Sequence, residues 1–292
     1  MIRWNVGMPL LAAALAVFVS GLAAPPATAE LLLPRPSPKA VVTQTVGLTD
    51  FTVTYSRPGV KGRKIWGGLV PYGEVWRTGA NEATTFVTTG EATIAGKKLP
   101  AGEYSLYTLP GEKDWTVIIS NEKGAWGSYT YAKEKDAHRF PVKPTSAPHE
   151  EWMRFSFANL TPSSGDLLLN WEKLQVAIPI EVATHDQAMA NIRAAMASVK
   201  ADDAATPYRA AQYLFSAGVE QEQAMKWAEQ AVATKPNYFN LSLLADMKMK
   251  AGNSKEAIAT AERALKAGKE DPDKPDTKAI EAKLAEWKGK KS

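Results

Sequence analysis

The sequence predicts a multidomain β + α protein: an antiparallel β-sandwich, or a barrel-like sheet, followed by an all-α module of tetratricopeptide-like helical hairpins. About nine short runs rich in β-branched and aromatic residues, separated by glycine, proline and polar turns, occupy residues 41–183. From Thr184 onward the apolar residues recur at helical spacing. The chain of 292 residues, 45% hydrophobic and 23% charged, has the length and apolar content of two packed domains.

The first 40 residues predict an export signal and a linker. Arg3 precedes an apolar run over residues 10–24, and a small-x-small cleavage site follows at residues 27–29. We therefore predict that residues 1–29 are a signal peptide and that the protein is exported, periplasmic or secreted, with an uncleaved anchor as the alternative. Residues 30–40 contain three prolines at alternate positions, Pro34, Pro36 and Pro38, and predict an extended linker. No membrane span is predicted after signal removal.

The sandwich strands follow this linker in order. They are predicted at residues 41–46, 51–55, 83–89, 92–94, 102–109, 115–120, 152–158, 167–171 and 174–182. In the run over residues 102–109 large side chains fall on both faces, so Tyr107 is either internal to the sandwich or directed into a pocket. Residues 121–150 are less regular and predict a long loop with one edge strand.

The helical module, residues 184–292, begins with a predicted capping box. Thr184 is its N-cap, and Gln187 reaches back to the main chain of the N-cap residue. A second helix is predicted to start at Thr206-Pro207, because a capping residue there precedes proline at the first helical position.

An internal repeat lies in the middle of this module. Ala211 recurs as Ala245 and Ala231 recurs as Ala264, at offsets of 34 and 33 residues, which is the period of tetratricopeptide hairpins. Two copies are fewer than the three that usually make a stable stack, so the first and last helices are predicted to cap it. Two tryptophans, Trp227 and Trp287, are predicted to lie in the core of the module, with docking of the module against the β domain as the alternative.

The segment over residues 55–86 has the most unusual composition in the chain. It combines closely spaced glycine and proline with tryptophan and arginine, and such residues serve recognition when turns hold them in place. Arginine grips carboxylate or phosphate, and tryptophan offers a face to a sugar ring or a cation. The predicted ligand-binding residues are Arg57, Arg63, Trp76, Arg77, Asn81 and Glu82, with Tyr107 from a neighbouring strand.

A structural interpretation of the same residues stays open. Arg77 and Glu82 are placed to pair with each other, and Asn81 is placed to bond the main chain of the turn over residues 78–81. For the cluster as a whole, we predict a ligand site.

This segment also carries a family resemblance. The run SRPGVKGRKIWGGLVPYGEVWRTGANEATTF, continued by IAGKKLPAGEYSLYTLPGEKDWTVIIS and WGSYTY, resembles a bacterial family catalogued as a domain of unknown function, number 2911. The resemblance covers about residues 42–182. It implies an exported all-β domain that is often fused to helical repeats. The family has no established activity, so the resemblance assigns no catalytic residues.

Composition argues against several other chemistries. Cysteine is absent, so the chain forms no disulfide and no thiolate site. The three histidines, His138, His149 and His185, lack the spacing of a zinc motif, and we predict no metal and no cofactor. The net charge of +4 is the difference of 35 basic and 31 acidic residues spread along the chain, and we predict no nucleic acid partner.

These observations predict a noncatalytic binding protein of the cell envelope that recognises a small anionic or carbohydrate-like ligand, a small molecule or a glycan. One alternative is an envelope hydrolase that uses Glu82 and a second carboxylate, for which Glu74, Glu103 and Asp114 are available. The other is a scaffold that binds a protein partner through residues 184–292. Candidate contact residues on its inner helices are Tyr208, Gln212, Tyr238 and Asn240.

Overall fold

The computed structural model describes residues 33–289, and the predicted signal peptide lies outside them. The chain divides into two units, residues 1–36 and residues 37–292, and the fold below is that of the second. Its strands are β1 (Lys39–Val46), β2 (Thr49–Ser56), β3 (Thr84–Thr88), β4 (Ala92–Ile94), β5 (Lys97–Leu99), β6 (Gly102–Leu109), β7 (Trp115–Ser120), β8 (Asp136–Val142), β9 (Thr145–Ala158) and β10 (Ser164–Glu181). Its helices are α1 (Thr184–Ala197), α2 (Ala205–Ala217), α3 (Gln221–Thr234), α4 (Tyr238–Lys250), α5 (Ser254–Glu270) and α6 (Lys278–Gly289). The predicted order, antiparallel sheets and then helices, is confirmed.

Two antiparallel sheets form the sandwich. The larger has the strand order β1-β2-β3-β6-β7-β8, and the smaller has the order β5-β4-β10-β9. Strand β10 is 18 residues long and pairs with β9 along most of its length. The alternating apolar residues of both sheets meet in one core.

Tryptophan side chains occupy the middle of this core. The rings of Trp66 and Trp115 lie 4.8 Å apart, and those of Trp76 and Trp171 stack at 5.8 Å. Trp115 and Trp171 are 1% exposed. Aromatic pairs at these distances add to the stabilisation that burial alone provides.

Residues 121–150 contain more strand than the predicted long loop with one edge strand. All of β8, which is an edge strand of the larger sheet, and the start of β9 lie in this range. Strand β8 pairs with β7 and buries Phe140 in the core. Strands β8 and β9 both lie at the edge of their sheets. An edge strand tolerates Pro141 and Pro148, because the N–H that proline lacks is not needed on the side without a neighbouring strand. The sequence pattern also missed the three-residue strand β5, which forms a hairpin with β4.

In the helical module, small residues allow close packing. Alanines are fully or almost fully buried in α2, α3, α4 and α5: Ala211, Ala224, Ala231, Ala245, Ala257, Ala261 and Ala264. Helix α6 covers the last pair of helices with Ile280 and Leu284. Trp227 and Trp287 are partly buried against the two apolar clusters of the module.

Both predicted helix caps were wrong. Thr184 is the first helical residue, and its hydroxyl donates to the Pro162 carbonyl at 3.0 Å. At α2 the capping side chain is Asp203. Its carboxylate accepts from the Thr206 main-chain N–H at 3.0 Å and from the Thr206 hydroxyl at 2.7 Å. A carboxylate satisfies more of the free N–H groups at a helix start than threonine does, and its charge also suits the helix dipole.

Helix α1 belongs to both parts of the unit. Its Gln187 amide donates to the Thr49 hydroxyl at 3.1 Å, which ties the helix to the sandwich. Met189 packs into the cluster formed by α2, α3 and α4. Gly47 has φ +59°, and a Cβ at that position would overlap the Thr184 side chain. None of the helices within residues 33–289 has the length and apolarity needed to cross a membrane.

Candidate functional site

Most of the predicted site lies in the connection between β2 and β3. Two of its arginines hold main-chain groups of the protein itself. Arg57 donates from Nε to the Met153 carbonyl at 2.8 Å, and Arg63 donates from Nη2 to the Gly59 carbonyl at 2.6 Å. Each guanidinium therefore uses part of its donor capacity to hold the connection in place.

The tryptophan of the predicted site faces the core. Trp76 forms a single antiparallel bridge with Thr108, and its indole N–H donates to the Gly79 carbonyl at 3.1 Å. Its ring stacks on Trp171, so that face is unavailable to a ligand. Because neighbours in extended chain point to opposite sides, Arg77 is directed away from the core. Its Nε is buried and has no hydrogen-bond partner among residues 33–289.

A tight turn places the last two predicted residues of this connection. Thr78 and Asn81 have φ values of 52° and 60°, in the left-handed region. The Thr84 hydroxyl donates to the Thr78 carbonyl at 2.7 Å, and the Asn81 amide donates to the Ser37 carbonyl at 3.2 Å. Thr84 therefore holds the turn, and Asn81 ties it to the chain before β1 rather than to the main chain of the turn itself. The exposed Glu82 follows immediately after Asn81.

Tyr107 lies on the outer face of the large sheet, the face turned away from the tryptophan core. It is fully buried, and its hydroxyl donates to the Glu122 carboxylate at 3.3 Å. The Glu122 side chain is only 8% exposed and also pairs with Lys135 at 3.1 Å. Burial, followed by the Glu122 charge, raises the pKa of Tyr107 to about 12.

A second tyrosine continues this buried polar network. The Tyr131 hydroxyl donates to Asp136 at 2.8 Å, and Arg139 pairs with the same carboxylate at 3.2 Å. Burial and the hydrogen bond to Asp136 raise the pKa of Tyr131 to about 12. The network fastens residues 121–136 across the outer face of the sheet.

A cleft of about 420 Å³ opens on the same outer face. Its lining residues come from β1, β2, β3, β6 and two loops: Lys39, Thr54, Tyr55, Ser56, Glu82, Ala83, Thr85, Val87, Glu103, Gly124 and Ala125. The strands supply hydroxyl groups, and one lysine and two glutamates supply the charges. Lys39, Glu82 and Glu103 are all exposed.

An exposed tryptophan stands beside this cleft. Glu82 and Trp126 form an antiparallel bridge, flanked by a hydrogen bond from the Ala83 N–H to the Ala125 carbonyl at 3.0 Å. Residues directly opposite in such a bridge project their side chains to the same side. The Trp126 side chain, which is 58% exposed, is therefore directed to the same side as that of Glu82, which lines the cleft.

Residues 37–180 match the family model described as DUF2911, a protein of unknown function. This match confirms the resemblance predicted for about residues 42–182, and the tetratricopeptide resemblance stays a prediction. No curated protein and no solved structure matches the chain.

Within the DUF2911 region, the structure separates the predicted site residues. Glu82 is the single member of the set that lines the cleft. Arg57, Arg63 and Trp76 hold the connection or the core, and Asn81 ties the turn to Ser37. Tyr107 is buried beneath the loop that forms the cleft wall.

Of the eleven residues that line the cleft, Glu82 alone belongs to the predicted ligand-binding set, and Glu103 was predicted only as a possible second carboxylate of a hydrolase. Lys39, Gly124 and Ala125, together with the neighbouring Trp126, were not predicted. A usable signal was present for Glu103, because in β6 it shares a face with Ser105 and Tyr107 while Tyr104 and Leu106 face the core.

Metal chemistry finds no support in the described part of the chain. Within residues 33–289, histidine, aspartate and glutamate side chains nowhere form a group of three or more that could hold a metal ion. His138 is buried at the edge of the core, and its Nε2 has no partner among the described residues. Burial, followed by the charge of Lys97, lowers its pKa below the ordinary value of 6.5.

Proposed function

We propose that this chain is an exported, noncatalytic binding protein of the cell envelope whose DUF2911 region binds a small carbohydrate-like ligand in the outer cleft. The observation that supports this proposal is the pairing of Trp126 with Glu82 beside strand hydroxyl groups. A tryptophan face packs against the apolar face of a sugar ring, while carboxylates and hydroxyls accept and donate hydrogen bonds to sugar hydroxyls.

The charges favour this ligand class over a small anion. The cleft contains one lysine and two glutamates, Lys39, Glu82 and Glu103. An anion would meet two carboxylates there, and like charges repel. Arg57 and Arg63, the cations on which an anion site was predicted, bond carbonyls of the connection.

Export is part of the proposal and rests on the sequence pattern of residues 1–29. The test is the N-terminus of the protein recovered from a bacterial host. A mature chain that begins at Glu30 in the periplasmic fraction supports export with cleavage. Recovery of the intact chain from the cytoplasm contradicts it.

Ligand binding is tested by isothermal titration with a panel of envelope oligosaccharides and muropeptides. We expect at least one to bind, and we expect Trp126→Ala to weaken that binding about tenfold or more, the loss of one good aromatic contact. The matched control is Trp152→Ala, which removes a tryptophan that is 37% exposed elsewhere on the surface. Equal affinities for the wild type and Trp126→Ala contradict the proposed site.

A second function is favoured by one observation: Glu82 and Glu103 line the same cleft. Glycosidases act through two carboxylates on either side of the scissile bond. If the protein is a hydrolase, the oligosaccharides that bind are cleaved, and Glu82→Gln and Glu103→Gln each abolish the release of reducing ends. Binding without any cleavage by the wild type supports the noncatalytic function.

A further inference from the structure

A groove on the helical module, far along the chain from the cleft, has the features of a peptide-binding surface. It lies between the start of α3 and the end of α4 and has a volume of about 560 Å³. Its lining includes Gln221, Glu222, Met225, Lys226, Met247 and Lys250. Methionine side chains are flexible and polarisable, so they adapt to apolar partners of different shape.

The cations of this groove lack counter-ions. Lys226 and Lys250 are exposed, and within residues 33–289 neither has a carboxylate within ion-pair distance. The Lys250 ammonium lies 4.9 Å from the centre of the Phe215 ring, which holds it at the apolar groove. Glu222 is the one acidic residue of the lining, so the groove carries a net positive charge of one.

Two charged residues beside the groove are held in ion pairs. Lys248 bonds Glu256 at 2.7 Å, and Glu220 pairs with Arg193 at 3.6 Å. Two lysines with no arginine suit carboxylates better than a nucleic acid backbone, which is held by a larger set of lysine and arginine contacts.

We propose that this groove binds an acidic peptide segment of a partner protein. One large apolar side chain of the peptide lies between Met225 and Met247, and carboxylates on either side of it meet Lys226 and Lys250. Charge complementarity selects this occupant, since an apolar peptide without carboxylates leaves both ammonium groups unmatched.

The groove differs from the surface that the sequence predicted for a protein partner. Tyr238 and Asn240 are buried, and they bond the carbonyls of Asp276 and Ala231. Tyr208 is half-buried and packs against the apolar cluster of α2, α3 and α4. These side chains hold the helices together. The proposal also stands apart from the oligosaccharide cleft, which involves none of the groove residues.

The test is fluorescence anisotropy with a labelled peptide of paired glutamates and leucines, with a peptide carrying lysine in place of each glutamate as the probe control. We expect the acidic peptide to bind and the basic one not to bind. We expect the double variant Lys226→Glu/Lys250→Glu to lose about tenfold or more in affinity, because two attractions become repulsions. Added salt weakens the wild-type interaction by screening.

Lys278→Glu is the control, since it makes the charge change of one of the two groove substitutions at an exposed position of α6 outside the groove. All variants are checked by circular dichroism, and Met225→Glu, at a half-buried residue of the groove, provides a second change. Three results each overturn the proposal: no binding of the acidic peptide up to about 1 mM, equal binding of both peptides, or equal affinities for the groove and control variants. Oligosaccharide titration of the same variants reports on the cleft separately.

Discussion

The two faces of the six-stranded sheet come from the same strands and have different roles. The inner face packs Phe51, Phe86 and Leu106 against a tryptophan cluster. The outer face buries Ser105, Tyr107 and Ser120, which are polar and fully covered. Side chains alternate between the two faces along a strand, so neighbouring residues of one strand belong to different faces. Stability therefore rests mainly on the inner face. The outer face buries polar groups, which is energetically less favourable, and these groups position a loop beside the cleft.

The inner face should give the largest effect. Trp171→Ala removes a side chain that is 1% exposed and stacked on Trp76. We expect the free energy of unfolding to fall by about 3–5 kcal/mol, from lost transfer energy and the cavity left behind. Urea unfolding measures it. Trp152→Ala, a change at a tryptophan that is 37% exposed, should cost less than about 1 kcal/mol. Similar losses in the two variants would break the distinction between buried and surface tryptophans.

The outer face should give an intermediate effect. Glu122→Ala removes the partner of both Tyr107 and Lys135, and the buried tyrosine hydroxyl is left without its acceptor. We expect a loss of about 1–3 kcal/mol in the free energy of unfolding. Glu112, which is exposed, provides the control as Glu112→Ala. If Glu122→Ala and Glu112→Ala lower the free energy of unfolding equally, the hydrogen-bond network on the outer face contributes nothing specific to stability.

We expect His138 to make the stability of the protein depend on pH. His138 is a titratable residue at the edge of the core, and its folded pKa lies below the unfolded value of 6.5 because burial and Lys97 disfavour its charged form. The unfolded chain therefore binds the proton more readily, and stability falls as pH drops below about 6.5. Thermal unfolding across this range should show a weaker pH dependence for His138→Phe than for the wild type. Parallel curves would exclude His138 as the source.

The smallest effect on stability is expected at the edge of the cleft. Trp126 is 58% exposed, so Trp126→Ala should change the free energy of unfolding by less than about 0.5 kcal/mol. Urea unfolding checks this value beside the oligosaccharide titration. A much larger loss would mean that Trp126 supports the loop and that its effect on binding is indirect.

The sequence predicted the order of the two parts because alternation and helical spacing are local patterns. It predicted the family through the glycine, proline, tryptophan and arginine positions of residues 55–86, which the match over residues 37–180 confirms. The bounds of the edge strand within residues 121–150 were not predicted, because the pairing of β8 with β7 crosses a loop and Pro141 is typical of a loop unless its strand lies at an edge.

The candidate site was harder to predict for a related reason. Tryptophan suits recognition and core packing equally, and the side of the sheet that Trp76 faces depends on its bridge to Thr108. The sequence pattern indicates ligand binding for Arg57, because it does not show that the side chain bonds the Met153 carbonyl. Glu82 and Glu103 share a cleft because β3 pairs with β6, a relation that local composition does not contain.

Because helix α1 contacts both the sandwich and the other helices, the chain is expected to be hard to divide by limited proteolysis or into fragments. A cut at residue 183, where the sequence pattern changes from strand to helix, separates Gln187 from Thr49 and leaves Met189 with the helices. A cut after α1 uncovers the face of α2 that Met189 protects. Because either cut exposes surface that the intact chain buries, residues 37–289 should resist division by protease and melt in a single transition.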